Sequence, residues 1–272
     1  MPAPERARPF AWERFLLAAF AGLVYLFLWG PIVVLVVFSF NRARQTAVWE
    51  GFTTGWYVKL LDNDILLRSV RNSLVVAGLT TVIATIAGTM VALALARHGF
   101  RGKGITQATL YLPIVIPEIV MGAALVTFFG VAGMRLSLWT VVMAHVVFSV
   151  SYVAIVVRAR LVGFDRALEE AAFDLGAGRF ETFRRVTLPI ILPGILAGAL
   201  LVFTISIDDY VVTSFVAGVG ATTLPLQIYS MLKVGVTPEV NAVSTLLIAL
   251  TVVLIVAAQR LQQRPTSSGG TE

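Results

Sequence analysis

Residues 165–189 read D-R-A-L-E-E-A-A-F-D-L-G-A-G-R-F-E-T-F-R-R-V-T-L-P, the longest polar passage in an otherwise strongly apolar chain. Asp165 suits an N-cap, Glu169 and Glu170 follow close behind, and Gly176 offers a left-handed stop. This pattern predicts a short helix from about Arg166 to Leu175. A second helical piece, Arg179 to Thr187, places Phe180 and Phe183 three apart on one face. Pro189 disfavours the helical state at Leu188 and opens the next apolar run, and the second piece is expected to continue through it into that run. A passage so patterned is more than a connection, and it reads as a docking element on a membrane protein.

The surrounding composition supports that class. Of 272 residues, 58% are hydrophobic and 13% are charged, with a mean hydropathy of +0.87. A soluble domain carries about 25% charged residues. The expectation is an all-α, polytopic membrane protein whose length sets the number of spans rather than of domains. The net charge is +6 and the pI about 10.1. Its basic residues are scattered between apolar runs, so a nucleic-acid partner is excluded. Zero cysteines exclude a disulfide scaffold and thiol-ligated metal. The first apolar run is too long for a signal h-region and lacks a cleavage pattern.

Six apolar runs emerge, each near the roughly 20 residues needed to cross a bilayer. They are Phe15 to Phe40, Asn72 to Ala96, Ile105 to Gly130, Leu138 to Val157, Ile190 to Phe215 and Val240 to Ala258. Gly30-Pro31 is expected to kink the first. Gly78, Ala84, Ala87 and Gly88 in the second suit close helix packing in lipid. Trp49, Trp56 and Tyr57 read as anchors at the membrane–water interface or as contacts for an external partner. A short helix is expected from Pro225 to Val234. The six-helix domain then spans 15–260, with a docking loop at 158–189 and polar tails at 1–14 and 261–272. With six spans both termini share one side, which carries 14 of the Lys and Arg residues against 7 on the other. The positive-inside rule puts the termini and the 158–189 loop in the cytoplasm.

Glu170-Ala171-Ala172, then Gly176, then Val186 and Leu188-Pro189 resemble the E-A-A-x3-G-x9-I-x-L-P loop of the membrane subunits of ABC importers. Val186 replaces the preferred Ile. The resemblance implies a type I ABC-importer permease fold in a bacterial inner membrane. It also implies the partners: a second homologous permease subunit, two ATP-binding cassette ATPases and an extracytoplasmic binding protein. Small Ala171 and Ala172 suit close approach to an ATPase cleft, Glu169 and Glu170 suit a basic partner group, and Gly176 permits the turn. The rival picture, a helix lying on the lipid surface, fits the acidic residues poorly. The sequence holds no G-x4-G-K-[ST] loop. No cofactor is therefore expected on this chain, with ATP and Mg on the partner ATPase, and no enzyme activity of its own.

Residues 206–213, S-I-D-D-Y-V-V-T, and the T-L-P-L-Q-I-Y-S-M stretch from Thr223 resemble the spermidine/putrescine permease branch, its second membrane subunit. The residue chemistry agrees with that resemblance. A charge near the bilayer centre costs from about 2.5 to above 10 kcal/mol and normally faces a cavity or a partner. Asp208 lies about 27 Å along its helix from Ile190 and Glu118 roughly 20 Å into the third span, at 1.5 Å per residue. Asp208, Asp209, Tyr210 and Glu118 supply carboxylates and an aromatic face for a polycation. Tyr229 and Lys233 share a helix face, and Lys233 could pair with an aspartate as a gate. Each has a plainer reading: Asp208 and Asp209 as a pair bonded to helix ends, Glu118 as satisfying a proline kink, His145 as a buried hydrogen-bonded residue.

Two alternatives remain at this level. One is the same machine with another small solute, such as iron, a phosphonate or an amino-acid derivative. The other is a cation-coupled carrier using Glu118, His145 and Asp208, which leaves the 170–189 pattern unexplained. No ligand cluster for a metal is visible in the sequence.

Overall fold

The computed structural model describes residues 11–43 and 48–262. Most of the expected tails, 1–14 and 261–272, fall outside them. The described chain is helical apart from turns and one isolated bridge, Asn41 with Phe52. Five helices are long and apolar enough to cross a bilayer, and a bent helix pair brings the number of spans to six if counted as one.

The chain divides into two compact units. The first comprises residues up to 62 with 232–246. In it α1 (Ala11–Phe38) continues as helix through Pro31, and α2 (Gly55–Leu61) follows a loop that the sequence left undefined. Asn41 organises that loop: its amide donates to the Val48 carbonyl, and its side-chain oxygen accepts from the Glu50 N–H. Two of the expected interface aromatics are bonded inward here. Trp56 Nε1 donates to the Asn41 carbonyl at 2.8 Å, and the Tyr57 hydroxyl lies 2.7 Å from Ser39 Oγ.

The second unit, residues 63–231 with 247 onward, holds the remaining spans. Helix α3 (Asp64–Arg97) starts two turns earlier than the apolar run because Asn63 caps it, accepting from the Leu66 N–H at 3.1 Å. Asp64 at its start and Arg97 at its end both complement the helix dipole. The apolar run from Ile105 to Gly130, expected as one span, is broken. The third apolar run is two helices, α4 (Lys103–Val115) and α5 (Glu118–Val131), set at 110°. Ile116 is extended, as a residue before proline prefers, and Pro117 caps α5. Glu118 thus opens a helix instead of lying deep in one.

Helix α6 (Leu138–Val162) is the packed centre of this unit. Val153 sits between two glycines of its neighbours, Gly88 on α3 and Gly198 on the helix described next. Ala84, Ala92, Val157 and Val202 complete that cluster. A small-residue seam lets backbones approach where lipid supplies no hydrophobic drive between helices.

The 165–189 passage forms α7 (Ala167–Asp174) and α8 (Arg179–Thr182), then a π-helical turn (Phe183–Thr187) leading into α9 (Leu188–Asp208). Gly176 has φ +86°, the predicted left-handed stop. The Gly176 N–H donates to Phe173 O and the Ala177 N–H to Ala172 O, the paired bonds of a Schellman ending. The second piece continues through Pro189 as expected: Leu188 is helical in spite of the proline, and residues 179–208 run as one 30-residue helix. A proline ring clashes with the carbonyl four residues back. The π turn widens the helix there, with the Leu188 N–H reaching Phe183 O, and so accommodates Pro189. At the other end the span is shorter than expected. α9 stops at Asp208, Asp209 is extended, and the remainder forms a separate α10 (Val211–Val216). α11 (Leu224–Val234) matches the expected short helix, and α12 (Pro238–Gln262) the sixth span.

Candidate functional site

The adjacent aspartates at the end of α9 have opposite environments. Asp209 turns inward and its side chain is 6% exposed. Its Oδ2 accepts from the Thr213 N–H at 2.8 Å and the Thr213 hydroxyl at 2.6 Å, and His145 Nε2 lies at 3.2 Å. His145 on α6 is fully buried. Its Nδ1 lies 2.7 Å from Ser206 Oγ and its Nε2 2.9 Å from Thr213 Oγ1. The Thr213 proton goes to Asp209, so Nε2 must carry a hydrogen and Nδ1 accepts from Ser206 when the ring is neutral. The network pins the break after α9 to the middle of α6. The plainer readings of His145 and Asp209 describe this geometry.

Asp208 is exposed and ends α9. A carboxylate there adds to the negative end of the helix dipole, an unfavourable place unless something cationic comes to it. Two residues on, Tyr210 packs against Tyr229 of α11 with ring centroids 4.5 Å apart. Lys233, one turn beyond Tyr229, is also exposed.

Glu118 and Asp209 line one small cleft of about 20 Å³, together with Pro113, Phe148, Tyr152 and Ile205. The 110° corner between α4 and α5 puts Glu118 there. Its exposed carboxylate sits at a helix N-terminus, where the dipole favours it. Phe148 and Tyr152 were not singled out from the sequence. Their spacing from His145, at i+3 and i+7, would have placed all three on one face of α6. The structure thus joins Glu118 with Asp209 and Tyr210 with Tyr229, and leaves Asp208 outward.

In the docking passage Glu170, Ala171 and Gly176 are exposed, and Ala172 is half-buried. Leu168, Phe173, Leu175 and Phe180 also show large apolar surface, with Leu175 at 89% exposure. A hollow of about 270 Å³ opens between α7 and the helix that follows, lined by Ala172, Leu175, Ala177, Thr182 and Val186. Exposed apolar groups around a hollow mark a surface that a protein or a membrane covers. Leu188 and Pro189 lie just behind it, in the first turn of α9. Glu169 behaves differently from the others. Its carboxylate is bonded to Arg97 of α3 and to the Thr187 hydroxyl, so it faces the chain's own helices.

Comparison with known proteins agrees with this geometry. The chain is 43% identical over 258 residues to the spermidine/putrescine transport system permease protein PotC of Escherichia coli strain K12, covering 95% of this chain and 97% of that one. It is 41% identical to the putrescine transport system permease protein PotI of the same strain, over 83% of each chain. Among solved structures, a bacterial ABC transporter involved in the import of the acidic polysaccharide alginate superposes with a TM-score of 0.76 over 94% of this chain and 96% of its own, at 18% identity. The model of binding-protein-dependent transport system inner membrane components matches residues 84–265, from the middle of α3 past the end of α12. The chain belongs to that family: it is a multi-pass inner-membrane permease subunit, a transport component and not an enzyme.

Proposed function

We propose that this chain forms half of the path by which polyamines such as spermidine and putrescine cross the inner membrane, driven by ATP hydrolysed on partner subunits. The observation that carries the reading is Asp208, an exposed carboxylate at the C-terminal end of α9 two residues before the Tyr210–Tyr229 pair. A flexible polycation is matched by a carboxylate placed where the helix dipole is already negative, beside an aromatic face. Glu118 lines the neighbouring cleft with Phe148 and Tyr152, a second carboxylate beside aromatic rings. The names of the relatives that are 41–43% identical support the same cargo.

The exposed surface of α7 and its hollow dock on an ATPase, and the lysine and arginine bias assigns this loop and both termini to the cytoplasm. The working assembly is then two permease subunits, two ATPases that carry ATP and Mg, and an extracytoplasmic binding protein that delivers cargo. Because residues 179–208 form one helix, movement of the docking loop reaches Asp208 along a rigid element.

Calorimetric titration of the cognate binding protein tests the cargo. Micromolar or tighter affinity for spermidine or putrescine is expected. Affinity for an anionic or amino-acid solute alone would leave the permease role intact and reject the polyamine assignment.

A further inference from the structure

The bond between Glu169 and Arg97 joins elements 72 residues apart. Arg97 closes α3, and its guanidinium donates to both Glu169 on α7 and the Thr187 hydroxyl, at 3.0 Å for the latter. Thr187 in turn donates to Glu169. The three side chains form a closed ring across the end of α3, the docking helix and the π turn that enters α9. A second strap lies beside it, since the Arg166 guanidinium donates to the Ala96 carbonyl at 3.0 Å. Thr187 is fully buried and Glu169 mostly so. Charge-assisted bonds in such a setting hold their geometry better than an exposed surface pair does.

The opposite end of α3 is fastened too. Asn72 donates to the Gly220 carbonyl at 3.0 Å and to the Thr222 carbonyl at 2.9 Å, and the Ser73 hydroxyl accepts from the Leu224 N–H at 2.8 Å. That segment leads into α11, which carries Tyr229 against Tyr210. Asn72 and Arg97 lie about 38 Å apart along the helix at 1.5 Å per residue. One unbroken helix is thus bonded to the docking loop at one end and to the aromatic pair's support at the other.

We propose that Arg97 is a positioning residue for ATP-coupled transport: through Glu169 and Thr187 it makes α3 a second rod, beside α9, that carries docking-loop movement to the α11 end of the path. This rests on the permease reading above. Glu169 then serves inside the subunit, and Glu170 and Asp174 are the exposed carboxylates of this helix.

The test uses the complete transporter, with its ATPases and binding protein, in proteoliposomes. Polyamine uptake and ATP hydrolysis are measured together, after size-exclusion confirms assembly. Arg97→Gln and Asn72→Ala are each expected to lower cargo moved per ATP by about tenfold, within the usual span of coupling free energies, with basal hydrolysis within about twofold of wild type. The double variant is expected to be no worse than either single one, because both cut the same rod. Exchanging the charges, Arg97→Glu with Glu169→Arg, is expected to restore at least half of the coupling. Multiplying losses in the double variant, or unchanged coupling in both single ones, would overturn the proposal. So would an exchanged pair that assembles but stays uncoupled, or failure of both Arg97→Gln and the exchanged pair to assemble, which would leave the ring a purely structural role. If the wild-type complex moves no polyamine with ATP, it is the functional reading that fails.

Discussion

Asp208 and Asp209 are chemically identical neighbours in different surroundings, one exposed and one buried in a hydrogen-bond network. Replacing Asp209 by alanine orphans the Thr213 N–H and hydroxyl and leaves His145 buried without its carboxylate. Hydrogen bonds to a charged group contribute about 1.5–3 kcal/mol each, and breaking a buried pair costs about 3–5. Because the three contacts share one oxygen they do not add, and a loss of about 3 kcal/mol is expected. For a chain of this size, that lowers a thermal midpoint by about 5–10 °C. Asp209→Asn keeps an accepting oxygen for Thr213 and should lose less than half as much. Asp208→Asn removes an exposed group with no such network and should leave the midpoint within about 2 °C. Its effect belongs to transport, where losing one charge-assisted contact to a cation means a tenfold or greater fall in uptake. Thermal unfolding of the purified chain in detergent, paired with uptake by the reconstituted complex, separates the two. Equal destabilisation by both asparagine variants, or wild-type uptake with Asp208→Asn, would refute the division of roles.

Other expectations follow from single contacts. At Gly88 an added Cβ would lie 2.6 Å from Val153 Cβ and 2.8 Å from the Val150 carbonyl, whereas at Gly78 it meets nothing within 4 Å. Gly88→Ala should therefore lower stability by about 1–3 kcal/mol in thermal unfolding, and Gly78→Ala should not. Gly176→Val forces a β-branched residue to φ +86°. That strain of roughly 1–3 kcal/mol should misplace α7, seen as loss of ATPase in co-purification. Lys59 is exposed but pairs at 3.0 Å with a mostly buried Glu239, so Lys59→Ala should lower stability by about 1–3 kcal/mol in thermal unfolding. Tyr229→Ala opens the Tyr210 face and should raise the cargo concentration for half-maximal uptake without altering basal ATP hydrolysis.

Much of this architecture can be read from the chain because bilayer crossing imposes long apolar runs and punctuation between them. Gly176 betrayed the turn after α7, since an L side chain rarely adopts its φ. The 110° corner at Pro117 was not legible: Pro113 and Pro117 are equally good breakers, yet α4 continues through Pro113 and breaks only at the second. The helix through Pro189 was expected, but not the π turn that accommodates the proline, which depends on backbone relaxation that residue spacing does not encode. The inward partner of Glu169 was hidden for a different reason. Its charge suited a docking face, and Arg97 lies 72 residues away in sequence. The contrast within the aspartate pair was hidden too: their separation into a buried cap and an exposed carboxylate is set by α9 ending between these two adjacent residues.

The most direct test is the uptake of labelled spermidine by the complete transporter in proteoliposomes with all ion gradients collapsed. With ATP supplied to the ATPase side, spermidine should accumulate inside, and Asp208→Asn should abolish most of that accumulation. Equal uptake without ATP, or uptake that needs an ion gradient, would contradict the account.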